Sequence, residues 1–266
     1  MSQRQRHRGQ HAHDPRLFSE PFLPALNAAV GDLSWMLSRR YPEQAALELV
    51  GNRYRLHQRQ RRALLRASCT DASLALRAQS RIGRSQLAGR SLLIDGYNLL
   101  ITMESALGGG IILHCRDGCY RDIASVHGTY RNVEETLPAL TRIGQTLESL
   151  GIAGACWLLD SPISNSGRLR RLMLDLAAQH GFRWQVDLDS NPDKRIAEEP
   201  DAVAVSSDGW VLDRCAAWYN LHQDLIGSLP EVQVIRLPGT APDLPLPAEA
   251  ELPDPAGWEL PEPEAD

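Results

Sequence analysis

The sequence predicts an α/β fold: a parallel sheet with helices on both faces, preceded by a small all-α region of helix-turn-helix outline. Three observations carry this. From Ser91 onward, short apolar runs alternate with amphipathic helical stretches, and parallel strands require a helical crossover between them. Before Ser91, apolar residues recur only at helical spacing. The charge divides at the same place. Residues 1–90 carry 16 Arg against 6 Asp/Glu (net +10), and residues 91–266 carry 12 Lys/Arg against 27 Asp/Glu (net −15), giving −5 for the 266-residue chain.

The elements follow in order. Residues 1–20 are a basic stretch without apolar periodicity and are expected to be a disordered tail. A helical domain over 21–68 begins with Leu23, Leu26, Val30, Leu33 and Leu37 at intervals of three or four. Pro42 suits the start of a second helix with Ala46, Leu47 and Val50 inward, stopped by Gly51-Asn52. A third helix is expected from His57 to Ala67, with Leu64 and Leu65 inward and Arg59, Arg61, Arg62 and Arg66 outward. Those four arginines are candidate nucleic-acid contacts, because phosphates dominate such affinity. Residues 69–90 are read as a connector.

The α/β domain is expected over 91–236. Its first strand, SLLID, ends at Asp95-Gly96. The apolar runs 99–107 and 111–115 flank Gly108-Gly109-Gly110 and read as a hairpin, with Arg116-Asp117-Gly118 as a second turn. A helix over 133–150, a strand over 154–159 ending at Asp160 and a helix over 164–180 follow. Next come a strand over 183–188, a short helix over 192–199 and a strand over 202–206 running into Ser207-Asp208. A helix over 213–226 and a strand over 232–235 complete it. From Leu237 the chain holds eight Pro, eight Asp/Glu and no Lys or Arg, and is expected to be a disordered acidic tail.

Composition excludes some classes. The longest stretch free of charged side chains is 11 residues, against about 20 for a membrane span. The apolar stretch after the basic start is broken by Glu20, Pro24, Asn27 and Asp32, which argues against a secretory signal. Five cysteines, an odd number, fit reduced thiols in a cytoplasm. His114, Cys115 and Cys119 supply three zinc ligands but lack a second cysteine pair.

Open parallel sheets bind ligands outside the carboxyl ends of their strands, where strand order reverses. Asp95, Asp160 and Asp208 stand at three such ends, Asp193 opens the short helix, and Asp213 lies five residues beyond Asp208. Taken singly, each reads equally well as a helix or turn cap. Together they repel one another unless a cation sits among them. Mg²⁺ or Mn²⁺ suits such a site, taking oxygen ligands and keeping waters for chemistry, and a pair of such ions about 3.5–4 Å apart serves phosphodiester displacement. The expected metal ligands are Asp95, Asp160, Asp208 and Asp213. Arg168 and Arg171, on the helix after Asp160, are further candidates for substrate phosphates.

The run Leu93-Ile94-Asp95-Gly96-Tyr97-Asn98-Leu99 resembles the opening strand of PIN-like nucleases, particularly the NYN and YacP-like branch. Leu158-Leu159-Asp160, Asn191-Pro192-Asp193-Lys194-Arg195-Ile196-Ala197 and Val205-Ser206-Ser207-Asp208 are similar to its later acidic motifs. Over roughly residues 25–227 the chain is also similar to a prokaryotic family pairing domain-of-unknown-function family 434 with a PIN-like C-terminal domain. The first part rests on Arg40-Tyr41-Pro42, Ala45-Ala46-Leu47 and Gly51-Asn52-Arg53-Tyr54. The resemblance implies a PIN-like Rossmannoid sheet and a Mg²⁺- or Mn²⁺-dependent ribonuclease, with metal-activated water attacking the phosphodiester. Asp95, Asp160, Asp193 and Asp208 would be catalytic, with Asn98, Ser206 and Ser207 orienting them. The partner would be nucleic acid, RNA before DNA, and no membrane. The segment 108–131 lies outside that pattern, and Asn191-Pro192 stands where the branch has a small residue. The alternative is a catalytically inactive, nucleic-acid-binding or regulatory protein of the same fold.

Overall fold

The computed structural model describes residues 7–124 and 129–239. Its centre is a four-stranded parallel sheet in the order β5-β4-β1-β6, formed by β1 (Ser91–Asp95), β4 (Gly154–Asp160), β5 (Trp184–Asp189) and β6 (Val203–Val205). The chain lays down β1, then β4 and β5 on one side of it, and returns to place β6 on the other. Strand order therefore reverses at β1.

The strands read with a period of two. Leu92 and Ile94 join a core with Trp157, Leu159, Val186, Val203 and Val205. That face is covered by α6 (Gly96–Leu107), α7 (Thr136–Ser149), α8 (Ser166–His180) and α11 (Leu221–Gly227). Leu93, Leu158 and Ala204 point the other way, against Ile196 of α9 (Pro192–Glu198), Val211 and Leu212 of α10 (Gly209–Leu212), and Trp218.

The helical region comprises α1 (Asp14–Leu17), α2 (Leu23–Ser38), α3 (Glu43–Arg53), α4 (Gln58–Ala67) and α5 (Asp71–Ser80). It shares a third core with a small second sheet of β2 (Ile112–His114), β3 (Tyr120–Asp122) and β7 (Val234–Arg236), through Ile111, Leu113, Cys115, Ile123, Ile235 and Leu237. Helices α2 and α3 end alike. Each closes with paired backbone hydrogen bonds that hold the next-but-one residue left-handed, Arg40 at φ 64° and Arg55 at φ 49°. Glycine is favoured there, and an L side chain costs about 1–2 kcal/mol.

Several expectations are corrected. Residues 99–107 form a helix, not a hairpin strand: the Asp95 side chain caps the first turn, and the run is apolar on nearly every side because α6 is buried between sheet and helices. Residues 213–226 are not one helix, since a loop separates α10 from α11. The final strand leaves the main sheet and pairs with β2, which the 108–131 segment brings to it. The N-terminal tail is packed from His7 onward: Arg8 ion-pairs with the fully buried Glu104, and Asp14 with Arg59. At the other end Leu237 is buried and the Gly239 N–H donates to Asn27 Oδ1 at 2.8 Å. Residues 1–6 and 240–266, the rest of the two expected tails, lie outside the described residues. No described helix is long and apolar enough to cross a membrane.

Candidate functional site

The carboxyl edge of the main sheet gathers aspartates around the point where strand order reverses. Asp95 ends β1, beside Leu158 of β4 in register, so Asp160 stands two residues farther along the neighbouring strand. Ser206 and Ser207 continue β6 on the other side. Gly96 is required here: a Cβ would stand 2.7 Å from the Leu158 carbonyl and 2.6 Å from Leu159 Cδ2, so α6 starts directly against β4 only without a side chain.

Asp95 is buried. Its Oδ2 accepts the Ser206 hydroxyl at 2.8 Å and its Oδ1 the Asn98 N–H at 3.3 Å. Its carboxyl is pushed up to about 7, by burial first and then by the charges of Asp193 and Asp208, against the opposing hydrogen bonds from the Ser206 hydroxyl and the Asn98 N–H. Asp193, in the first turn of α9, is raised to about 6 by burial and then by Asp208 and Asp160. Asp160 is raised by burial, with Asp189 adding to it across the β4–β5 register. Asp208 caps α10, its Oδ1 accepting from Trp210 N–H at 2.8 Å and Val211 N–H at 3.2 Å. Among the described residues none of Asp95, Asp160, Asp193 and Asp208 has an ion-pair partner within 4.0 Å.

The serine-aspartate turn is tightly braced. Asn98 Oδ1 accepts both the Ser207 N–H at 2.9 Å and its hydroxyl at 3.0 Å, and the Ser206 oxygen accepts the Asp208 N–H at 2.9 Å. From behind, the buried Arg121 of β3 donates through Nε to the Ser207 carbonyl at 2.7 Å.

The donor set is all oxygen, which suits a hard divalent cation. Burial is the largest cause of the raised carboxyls of Asp95 and Asp193, and neighbouring carboxylates add to it: Asp193 and Asp208 at Asp95, Asp208 and Asp160 at Asp193. Among the described residues, no three His, Cys, Asp or Glu side chains form a group that could hold a metal ion. A cation here would have to be held by one or two carboxylates and its own waters, a manner that Mg²⁺ beside a phosphate accepts.

Residues 84–224 match the family described as "Domain of unknown function (DUF5616)", more than half of the chain. The chain belongs to the DUF5616 family. Residues 25–79 match "Protein of unknown function (DUF434)". An uncharacterized protein of Methanocaldococcus jannaschii is 26% identical over 199 residues, covering 72% of this chain and 95% of that protein. No solved structure matches.

The DUF5616 region thus contains the whole acidic edge, together with residues that sequence reasoning passed over. The Tyr97 hydroxyl is buried without a hydrogen-bond partner among the described residues, and is raised to about 12 by burial and the Asp160 charge. His222 of α11 is buried against the backbone of Asn98 and held neutral, its imidazole lowered to about 4 by burial, while Nε2 is unpartnered among the described residues. Asp189 ends β5, where Asp160 ends β4. Tyr97 lies inside the Asp-Gly-Tyr-Asn run, the one signal that pointed to it. His222 carried none.

Asp213 is not brought to the edge. Its Oδ1 pairs with Arg77 Nε at 2.6 Å and its Oδ2 accepts from Ser73 at 3.0 Å, facing α5 of the DUF434 region. The expected outward row of arginines on α4 is corrected at Arg59 and Arg61. Arg59 is turned into the fold, donating to Asp14 Oδ2 at 2.7 Å and the Gly9 carbonyl at 2.9 Å. Arg61 donates to the Leu56 carbonyl at 2.9 Å and Asn52 Oδ1 at 2.7 Å. Arg62 and Arg66 are exposed, as are Arg168 and Arg171 on α8. Cys115 and Cys119 are buried thiols, pushed up by burial.

Proposed function

We propose that the acidic edge is a divalent-cation site and that the protein is a Mg²⁺- or Mn²⁺-dependent endonuclease of PIN-like type, acting on RNA before DNA. One observation carries the reading: aspartates from β1, β4, α9 and the turn after β6 stand along the sheet edge at a topological switch point, Asp95 and Asp193 are raised by burial and by neighbouring carboxylates, and among the described residues none of the four has an ion-pair partner. The Asp-Gly-Tyr-Asn run at the opening strand supports the PIN-like assignment.

Bound there, Mg²⁺ or Mn²⁺ would lower the pKa of a water and neutralise charge developing on a phosphodiester. Asp95 and Asp208 are the principal ligand oxygens in this reading, with Asp193 and Asp160 completing the negative rim. Ser206 and Asn98 hold Asp95 in place, and Asn98 fixes the Ser207 turn that carries Asp208. The buried Tyr97 hydroxyl, without a hydrogen-bond partner among the described residues, is a further candidate donor on the Asp160 side of the edge. Arg168 and Arg171, exposed on the helix that follows Asp160, are available to substrate phosphates.

A second reading has its own support. Because no three acidic or other metal-ligating side chains form one preorganised group among the described residues, a non-catalytic nucleic-acid-binding protein fits the same fold. A Mn²⁺ titration against RNA and DNA oligonucleotides, run beside Asp95→Asn, separates the two. The enzyme reading expects metal-dependent cleavage that falls by about 100-fold or more in the variant, roughly 3 kcal/mol of barrier, with RNA binding retained. Binding without cleavage at any Mn²⁺ concentration establishes the second reading.

A further inference from the structure

Helix α2 ends on a surface that the fold leaves unused. Trp35 is 52% exposed and Tyr41 48%, with ring centroids 6.4 Å apart and planes inclined by 31°. The Arg39 guanidinium lies over the Trp35 ring, 3.7 Å from its centroid, and donates to the Trp35 carbonyl at 3.3 Å. Arg40 follows in the left-handed conformation, its N–H donating to Leu37 at 3.0 Å while the Tyr41 N–H donates to Met36 at 3.2 Å. The fold recovers nothing from the Arg40 side chain for that backbone cost. It is exposed, and among the described residues its guanidinium has no hydrogen-bond or ion-pair partner. Two carboxylates of this region are committed: Asp71 to Arg116 at 2.6 Å and Asp32 to the Tyr54 hydroxyl at 2.9 Å.

We propose that Trp35, Arg39, Arg40 and Tyr41 form a docking platform for single-stranded nucleic acid. Two half-exposed aromatic rings, one already carrying a guanidinium on one face, beside a second exposed guanidinium recognise stacked base faces together with phosphates, and only a single strand offers both at once. An acidic peptide would use the charges and leave the rings unmatched. A duplex keeps its base faces inside its own stack. Arg59 and Arg61 make contacts within the fold, which leaves only Arg62 and Arg66 of the α4 row exposed, whereas the corner between α2 and α3 offers rings as well as charge. This surface does not depend on the acidic edge and holds whether or not the protein cleaves its ligand.

The test is fluorescence anisotropy with the full chain in EDTA, using dye-labelled oligo(U), oligo(dT), a blunt duplex and a poly-glutamate peptide. Both single strands are expected to bind, and the duplex and the peptide at least about tenfold more weakly. Trp35→Ala should weaken single-strand binding by about tenfold, the scale of one lost base stack. Arg40→Gly should weaken it about threefold and lower the log–log salt slope by about one. The melting temperature of Arg40→Gly should hold or rise, because glycine relieves the left-handed backbone. A fold defect in the first variant therefore leaves the second as an independent test. Unchanged affinity in Arg40→Gly, no binding of either single strand, or equal binding of duplex or peptide overturns the proposal. EDTA removes metal-dependent cleavage from every arm, so failure here is separate from failure of the nuclease reading.

Discussion

Two buried aspartates on either side of the serine-aspartate turn show what burial does with and without a partner. Asp117, in the β2–β3 turn, accepts from Arg77 at 2.6 Å and from Arg121 at 2.6 and 2.9 Å. Burial alone would push its carboxyl up, yet Arg121 and then Arg77 outweigh it and hold the group well below the ordinary range. Asp95 is as deeply placed but meets a hydroxyl, one N–H and two further carboxylates, and is pushed up to about 7. Arg121 touches both regions, through Asp117 on one side and the Ser207 carbonyl on the other. The same residue type, in the same low-dielectric surroundings, is a paired structural anchor in one place and a carboxyl pushed toward its neutral form in the other.

The comparison can be broken most forcefully at the anchor. Asp117→Asn leaves the buried Arg121 without its carboxylate and Arg77 with Asp213 alone, and should cost about 3–5 kcal/mol in urea denaturation. Asp95→Asn should show no comparable loss at neutral pH, because the amide suits a position that disfavours charge. Equal losses would erase the distinction. The pH profile sharpens it. The folded-state carboxyl of Asp95 lies above its unfolded value, so its stabilising share is complete below about pH 4 and is lost as pH rises toward 7. Asp193 behaves alike up to about 6. Asp117 has the opposite sign: its share is present above about pH 4 and is lost as pH falls below that. Melting temperatures of the metal-free protein should therefore decline between about pH 4 and 7, and the decline should flatten in Asp95→Asn. A smaller effect is expected at Asn98→Ala, which removes the shared acceptor of the Ser207 N–H and hydroxyl, at about 1–3 kcal/mol by denaturant melts. Least of all, Arg195→Ala removes the exposed pairs to Asp187 and Asp189 and should shift stability by less than about 1 kcal/mol.

The parallel sheet was readable because its signals are local. SLLID, the run into Asp160 and the run into Ser206 each carry apolar periodicity closed by a polar stop, and the structure places strands at all three. The segment 99–107 was misread because a helix buried on most sides loses the polar stripe that marks it. Arg8 with Glu104, Arg59 with Asp14 and Arg77 with Asp213 join residues 96, 45 and 136 positions apart, and no local pattern distinguishes such an arginine from one that faces solvent. For the same reason Asp213 read as a ligand, while the unpartnered Tyr97 hydroxyl and the neutral His222 went unassigned. Within the candidate site, the strand-end aspartates were visible in sequence. Which of them lacks a counter-charge became visible only in three dimensions.

The central claim is that Asp95 sits among like charges that a divalent cation would balance. Carbon-13 NMR titration of the aspartate carboxyls, assigned with Asp95→Asn and repeated with Mg²⁺, tests it directly. The account predicts that Asp95 titrates near 7 in metal-free protein and moves below about 5 when Mg²⁺ is added. A carboxyl that titrates near the ordinary aspartate value of about 3.9 and is indifferent to Mg²⁺ would contradict it.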